Sequence, residues 1–311
     1  MQENFDEACD KVLCITGATG YLAANFLNFD FLKLRKTYKK VYLLDRSLKF
    51  KRLCDEVKDS DRVTFSSLDI SSDGNKIFEI LETISNCDLD FIHFAYTENL
   101  NKEKELLASV KKLAEKQNID MRLFFLSSAA VYGDQEETPI YESAKLEPVS
   151  NYGKFKLQLE NFIIKEFDEY LILRLANPFG KEFFLKGAYA HFLNSLKQQM
   201  KEGKTQLEIA INADAPNQII RDLVYIDDFS NTLFQLLNND MPFKEILNIS
   251  SAKASYLEDL AFMAFSELLK EEQKLEYSLS FRYNGFKTTD IKKSVLANDK
   301  LLNLLEKSLS V

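Results

Sequence analysis

The chain has 311 residues, 46% of them apolar, with a formal net charge of −8. That much apolar material builds a substantial core, as one large unit or as a main domain with a smaller companion, and excludes a mostly disordered chain. The acidic balance argues against nucleic-acid affinity but leaves room for a local positive pocket around a phosphorylated small ligand.

The first element, KVLCIT, is an apolar run rich in β-branched residues and predicts a buried strand. Gly17 and Gly20 permit a tight turn, and YLAANFL begins a helix, with Ala23 as a third small position. Such a turn aims unpaired backbone N–H groups at whatever lies above it; a pyrophosphate cradle and an ordinary strand-turn-helix both have this pattern. DFLKLRKTYKK extends the first helix or its exit, because the distance from Gly17 to Asp45 exceeds the roughly 20 residues usual for a compact unit. KKVYLLDRS is a second strand ending in Asp45, whose carboxylate can accept both hydroxyls of an adenosine ribose and repels a 2′-phosphate. That favours NAD over NADP, although the Arg46 guanidinium is able to pair with the extra phosphate. RVTFSSLDI is a third strand ending in Asp69, either a helix cap or an adenine contact. LDFIHFAY is a fourth, in which His93 reads as a structural strand-end residue.

The alternation continues with a helix over NKEKELLASVKKLAEKQN, a strand over MRLFFLSSAA, a helix over YGKFKLQLENFIIKEF and a strand over YLILRLANPFG. Strands interleaved with such helices predict an α/β, Rossmann-type parallel sheet with helices on both faces. Ligands bind such sheets beyond the carboxyl ends of the strands, where Ser127, Ser128 and Asn177 fall. After Gly180 the rhythm is irregular. AYAHFLNSLKQQM and YLEDLAFMAFSELLKEEQ are helical, with His191 on a helix face; RDLVYIDDFSNTLFQLL joins a strand to a helix, and TDIKKSVLANDKLLNLLEKSL predicts a terminal helical pair. Residues 1–180 thus form a dinucleotide-binding domain, and 181–311 a smaller substrate-binding part with segments returning to the main sheet.

Cys9, Cys14, Cys54 and Cys87 have no paired spacing, which predicts buried thiols rather than disulfides, and no metal site. No run approaches the roughly 18 to 20 apolar residues of a membrane helix. The N-terminal MQENFDEACDK is acidic where a secretion signal would be basic, so no membrane association and a cytoplasmic location are expected.

SSAAVYG and NYGKFK carry the candidate chemistry. Tyr152 and Lys156 are four residues apart and share a helix face. A tyrosine hydroxyl, with a pKa of about 10, is too weak an acid for neutral-pH proton transfer unless a nearby cation stabilises its phenolate, which the Lys156 ammonium is placed to do. Ser128, at a strand end, can donate a hydrogen bond to the same substrate oxygen. A surface Tyr–Lys pair has the same spacing.

Taken together, these segments resemble the NAD-dependent epimerase/dehydratase family of extended short-chain dehydrogenase/reductases acting on nucleotide sugars, typified by UDP-glucose 4-epimerase. TGATGYLA resembles the TGxxGxxG motif, HFAY the HxAA segment, SSAAVYG the SSxxVYG signature, and Tyr152 with Lys156 the YxxxK motif. LRLANPFG is similar to LRxxNxYG, and RDLVYIDD to RDFVHVDD. The resemblance implies cofactor contacts at Gly17, Thr19, Gly20, Tyr21 and Leu22, at Asp45 and Arg46, at Asp69 and Ile70, at Phe94 and Ala95, and at Tyr152 and Lys156. It implies Ser128, Tyr152 and Lys156 as catalytic groups. Ser128, Asn177 and Arg221 would contact the substrate, a nucleoside-diphosphate sugar. In FRYNGFKTTDIKKSVLAN, Arg282 is either a further diphosphate contact or a surface arginine, since Tyr283 and Asn284 replace the usual proline and glycine. A homodimer through two helices of the parallel layer is also implied.

Two departures narrow the chemistry. Sugar dehydratases of the family carry a Thr-Asp-Glu run where this chain has Ser128, Ala129 and Ala130, and neither alanine moves a proton. After His93 the connecting loop is short, and Tyr96 stands where a small residue is usual. The expected activity is oxidation and re-reduction at C4 of a nucleotide-linked sugar, a 4-epimerase with NAD as cofactor; a 4-reductase or 4-dehydrogenase uses the same residues, and a silent dinucleotide-binding module is a third reading.

Overall fold

The computed structural model describes residues 11–47, 52–82, 84–180, 187–239, 243–271, 276–287 and 290–309. Cys9 and the acidic N-terminal stretch lie outside them. β1 (Lys11–Thr16) turns into α1 (Tyr21–Phe29) and α2 (Phe31–Thr37), followed by β2 (Lys40–Asp45), the single turn α3 (Asp55–Lys58) and β3 (Val63–Ser67). The short α4 (Ile70–Asp73) and α5 (Ile77–Leu81) precede β4 (Asp88–His93), α6 (Leu100–Gln117), β5 (Asp120–Ser128), α7 (Asn151–Glu166), β6 (Tyr170–Leu175) and β7 (Asn177–Phe179). Then come α8 (Ala188–Lys201), β8 (Gln206–Ile211), β9 (Ile220–Tyr225), α9 (Ile226–Leu237), β10 (Lys244–Ile249) and β11 (Ala254–Tyr256). α10 (Leu257–Glu271), β12 (Ser278–Tyr283), β13 (Lys293–Ser294) and α11 (Asp299–Leu309) complete the chain.

The expected parallel sheet has seven strands in the order β10-β6-β5-β4-β1-β2-β3. Its register places Thr16 beside His93 and His93 beside Phe125, so β1 and β4 end level with each other while β5 runs on to Ser128. Along β1 the side chains alternate: Leu13 and Ile15 pack with α1, α2 and α9, and Cys14 packs on the other face with α6 and α7. Both faces are therefore covered, and the strands read as continuous apolar runs for that reason. A third core joins α8 and α10 to β8 through Leu196, Ile209 and Ala264. Here β8 pairs with β12, while β9 pairs with β7, β11 and β13.

DFLKLRKTYKK extends the exit of the first helix rather than the helix itself: α1 stops before Asp30, whose side chain caps a second helix, α2, by accepting from the Lys33 amide at 3.2 Å. One local expectation needs correction. The expected terminal helical pair is one helix, α11, preceded by an extended stretch: Lys293 and Ser294 pair with Ile220 and Arg221 of β9, and Leu296 bridges Ile140. Tertiary pairing overrides the helical period there.

Candidate active site

A cleft of about 790 Å³ opens over the carboxyl ends of β1, β2 and β4. Gly17, Thr19, Gly20, Tyr21, Leu22, Asp45, Arg46, Asp69, Ile70, Phe94, Ala95 and Tyr152 all line it. The turn at its floor has to be glycine: Gly17 has φ +69°, and a Cβ there would sit 2.9 Å from the Ala95 backbone nitrogen. Gly20 caps α1 with no side-chain hydrogen bond, which leaves the first amides of a nine-residue helix free for an anion. Asp45 draws the turn together, its Oδ2 accepting from the Thr19 amide at 3.0 Å and the Thr19 hydroxyl at 2.8 Å. These features fit the pyrophosphate and ribose of a dinucleotide.

Asp69 does what the capping alternative describes. The strand stops at Ser67, and Asp69 Oδ1 accepts from the Ser71 amide and hydroxyl at 3.0 and 2.6 Å. Those bonds, with Arg46 nearby, hold its carboxyl below the ordinary range. It is both cap and cleft wall. Arg52, which the sequence reading passed over, also lines the cleft and donates to the Thr19 carbonyl at 2.7 Å.

At the other end of the cleft α7 presents Tyr152. Ser150 caps α7 by accepting from the Gly153 amide at 3.0 Å. Gly153 lets the helix lie against the turn after β5: a Cβ would fall 2.4 Å from the Ala130 carbonyl. That close approach sets α7 against the turn carrying Ser128, which lies beside the cleft rather than in its lining and whose hydroxyl accepts from the Ala130 amide at 3.2 Å. Burial of the Tyr152 hydroxyl nevertheless raises it above the ordinary phenol value, against the pull of Ser128. The Lys156 ammonium does not lower it.

The position of Lys156 explains why. Unlike Tyr152, which is 39% exposed, Lys156 is 3% exposed and lies beneath the cleft rather than in its lining. Its ammonium donates to the Leu126 carbonyl at 2.8 Å and stands over the Phe125 ring at 4.7 Å. Tyr96 lines the cleft with its ring centre 5.9 Å from the ammonium and, edge-on, 5.2 Å from Tyr152 and 5.0 Å from Phe155. Burial lowers the Lys156 ammonium to about 8, opposed by the Glu103 and Glu160 carboxylates.

A second cavity, about 480 Å³, is lined by Arg221, His191, Asn212, Lys287 and Asp290 among others. Arg221 is anchored by donating to the carbonyls of Ile220 and Ile291 at 2.9 and 2.7 Å. Burial lowers its guanidinium, with Asp134 and Asp290 opposing. Arg282 does not reach this cavity. It projects from β12 toward solvent and pairs with Glu208 at 2.9 Å, the surface alternative of the sequence reading, and the basic side chain beside Arg221 is Lys287. His191, read as a helix-face residue, faces the cavity. Asn177 lines neither cavity; its amide donates to the Asp222 carbonyl at 3.1 Å. His93 is fully buried, with ring nitrogens 2.7 Å from Thr16 Oγ1 and 2.5 Å from Glu103 Oε2.

A model of the NAD dependent epimerase/dehydratase family matches residues 13–250. The chain belongs to that family. Over 157 residues it is 30% identical to a putative UDP-glucose 4-epimerase of Methanocaldococcus jannaschii, which covers 49% of this chain and 48% of that protein. It is 27% identical over 190 residues to an ADP-L-glycero-D-manno-heptose-6-epimerase of Brachyspira hyodysenteriae, covering 56% of each. The chain thus spans about half the length of these curated relatives. Among solved structures, the UDP-N-acetylglucosamine 4-epimerase of Methanobrevibacter ruminantium superposes with a TM-score of 0.70 at 20% identity, over 96% of this chain and 92% of that one. At this identity the likeness establishes the fold. The family's cofactor is NAD, and the cleft fits it: a glycine turn without room for a Cβ, uncapped helix amides and Asp45 at the edge of β2. Among the described residues no helix is long and apolar enough to cross a membrane and no acidic, cysteine or histidine cluster suits a metal ion.

Proposed function

We propose that the protein is a nucleotide-sugar 4-epimerase, acting at C4 of a sugar carried on a nucleoside diphosphate through a 4-keto intermediate. The observation that carries this reading is Tyr152, which lines the cleft with Ser128 beside it and Lys156 one turn along α7 beneath. Bound NAD supplies a carbon that accepts a hydride and returns it. Tyr152 removes the proton from the C4 hydroxyl, Ser128 donates a hydrogen bond to the developing carbonyl oxygen, and the Lys156 ammonium, together with the positive charge of the bound nicotinamide, would favour the phenolate. Ala129 and Ala130 supply no acid or base for loss of water. Arg221 and Lys287 offer cationic groups for the diphosphate in the second cavity.

Quantifying NAD released on denaturing the purified protein, alongside interconversion of UDP-hexose 4-epimers, tests this reading. Retained stoichiometric NAD with interconversion supports it. An empty protein that consumes reduced cofactor with a 4-ketosugar indicates the 4-reductase instead, for which the unusual Tyr96 at the Tyr152 end of the cleft is the favouring feature. Failure to bind NAD or NADP overturns both. A cytoplasmic location and a homodimer through two helices of the parallel layer, α7 with Tyr152 one of them, belong to the same proposal; sedimentation checks the dimer.

A further inference from the structure

We propose that Glu103 of α6 is the buried counter-charge of Lys156, a positioning residue that keeps the ammonium charged beneath the cleft and fixes the segment lying over it. The proposal takes its functional meaning from the catalytic reading of Lys156, but the pairing stands on the charge inventory of the core. A buried ammonium meeting one carbonyl and aromatic faces is uncompensated, and a charge in that state requires an anion. Two buried carboxylates act on the Lys156 ammonium through their charge, Glu160 one turn along α7 and Glu103 of α6. Glu160 is already matched: the buried Arg174 grips it from Nη2 at 2.7 Å and from Nε at 3.2 Å to each oxygen, and the Ser127 hydroxyl adds a bond. Glu103 has no such partner. Its oxygens meet His93 Nε2 at 2.5 Å and the Thr97 amide at 2.8 Å, neither a permanent cation. With Arg174 balanced by Glu160, Glu103 is the carboxylate left to balance Lys156.

The contacts are continuous. His93 stacks on Phe125 with centroids 6.0 Å apart, and the Lys156 ammonium stands 4.7 Å from the centre of the same Phe125 ring. Through the Thr97 amide, Glu103 also pins the end of the 94–97 segment, whose Tyr96 ring centre lies 5.9 Å from the ammonium, the same distance as that of Tyr152. Burial pushes the Glu103 carboxyl up, but His93 and Lys156 together hold it below its ordinary range.

A double-mutant cycle on the full chain tests the pairing. Glu103→Gln and Lys156→Met each leave one buried charge unmatched, whereas the double variant leaves none. The expected result is that each single variant melts below wild type while the double melts above the less stable single, its loss smaller than the sum. Losses that add overturn the proposal. If Glu103→Gln alone fails to fold, folding of the double supports the pairing, and a double that stays unfolded while Lys156→Met folds overturns it. A second readout is the 13Cε shift of Lys156 in lysine-labelled protein, assigned with Lys156→Met. In folded Glu103→Gln it should titrate about one pH unit or more below wild type; an unchanged titration overturns the proposal. Neither readout needs turnover, so an additive cycle leaves the Tyr152 reading intact, and an active Tyr152→Phe enzyme would sink that reading without touching the cycle.

Discussion

Two buried charge clusters sit on the same sheet, and they are built differently. In the first, Asp90 of β4 accepts from Arg122 Nε at 2.6 Å and Nη2 at 2.8 Å, from the Tyr38 hydroxyl at 2.5 Å, and pairs with Lys11 at 3.0 Å. Arg122 goes on to donate to the Leu237 carbonyl at 3.0 Å, closing the end of α9. No residue of this cluster lines either cavity. In the second, at the cleft, the cation is a lysine with a single hydrogen bond to a carbonyl, walled by rings. An arginine in a saturated fork keeps its proton at any working pH, and Arg122 is held above its ordinary value despite its burial. A lysine among aromatic faces is brought down to about 8, where it titrates near neutrality. Saturation fixes elements in place; an unsaturated charge beside a cleft is poised for proton chemistry.

The sharpest break in that comparison is made at the cleft. Tyr152→Phe removes the hydroxyl that lines the cavity and should cost about 10²- to 10⁴-fold in kcat, as loss of a general base does, with the melting temperature close to wild type because the ring remains. Steady-state kinetics and calorimetry on one preparation check both halves. The saturated cluster should give the opposite pattern. Arg122→Ala leaves Asp90 with Lys11 and Tyr38 alone and opens the end of α9, and should cost about 3 to 5 kcal/mol in chemical denaturation. NAD binding by the folded fraction should remain at wild-type strength.

The pH dependence of stability separates the clusters without removing any cleft contact. The Lys156 ammonium is lowered from 10.5 to about 8, so between those values the unfolded chain holds a proton that the folded chain has released. Stability from this group therefore rises with pH across that window, by up to about 3 kcal/mol. Denaturation curves at pH 7.5 to 10.5 should show the rise in wild type relative to Lys156→Met; parallel curves would remove Lys156 from the set of perturbed groups. Asp45→Ala should act more modestly. It deletes one acidic contact and frees Thr19 from the turn, and a charge-assisted bond of about 1.5 to 3 kcal/mol corresponds to a loss of roughly 10- to 100-fold in NAD affinity, read by quenching titration.

What was legible in the sequence follows the range of the interactions. The glycine turn, the acid at the end of β2 and the shared face of Tyr152 and Lys156 are fixed by local geometry, and each is found at one cleft or directly beneath it. The parallel sheet was legible for the same reason, since alternating apolar periods decide which elements form. Partners far apart in the chain were not. Glu103 sits in an ordinary amphipathic helix, and nothing nearby marks it as the neighbour of a histidine on β4. The extended stretch before α11 has a helical period and becomes strand only because β9 and Ile140 lie alongside. The shared helix face of Tyr152 and Lys156 is local, but the burial of Lys156 comes with rings from elsewhere, Phe125 of β5 and Tyr96 of the connection after β4.

The smallest expected effect concerns the two C-terminal cations. Arg282 follows a motif-like pattern yet points to solvent, where an exposed pair with Glu208 is worth about 0 to 1 kcal/mol. Lys287, five residues on, carries no motif and lines the cavity that holds Arg221. Arg282→Ala should therefore leave binding of a nucleoside diphosphate unchanged and stability within about 0.5 kcal/mol of wild type. Lys287→Ala should weaken that binding by roughly 3- to 10-fold, as expected when one cationic contact of about 1 kcal/mol is lost from a partly solvated site. Calorimetric titration with UDP ranks the two directly. The reverse ranking would mean that β12 turns its arginine toward the ligand on binding and that the cavity beside Arg221 does not hold the diphosphate.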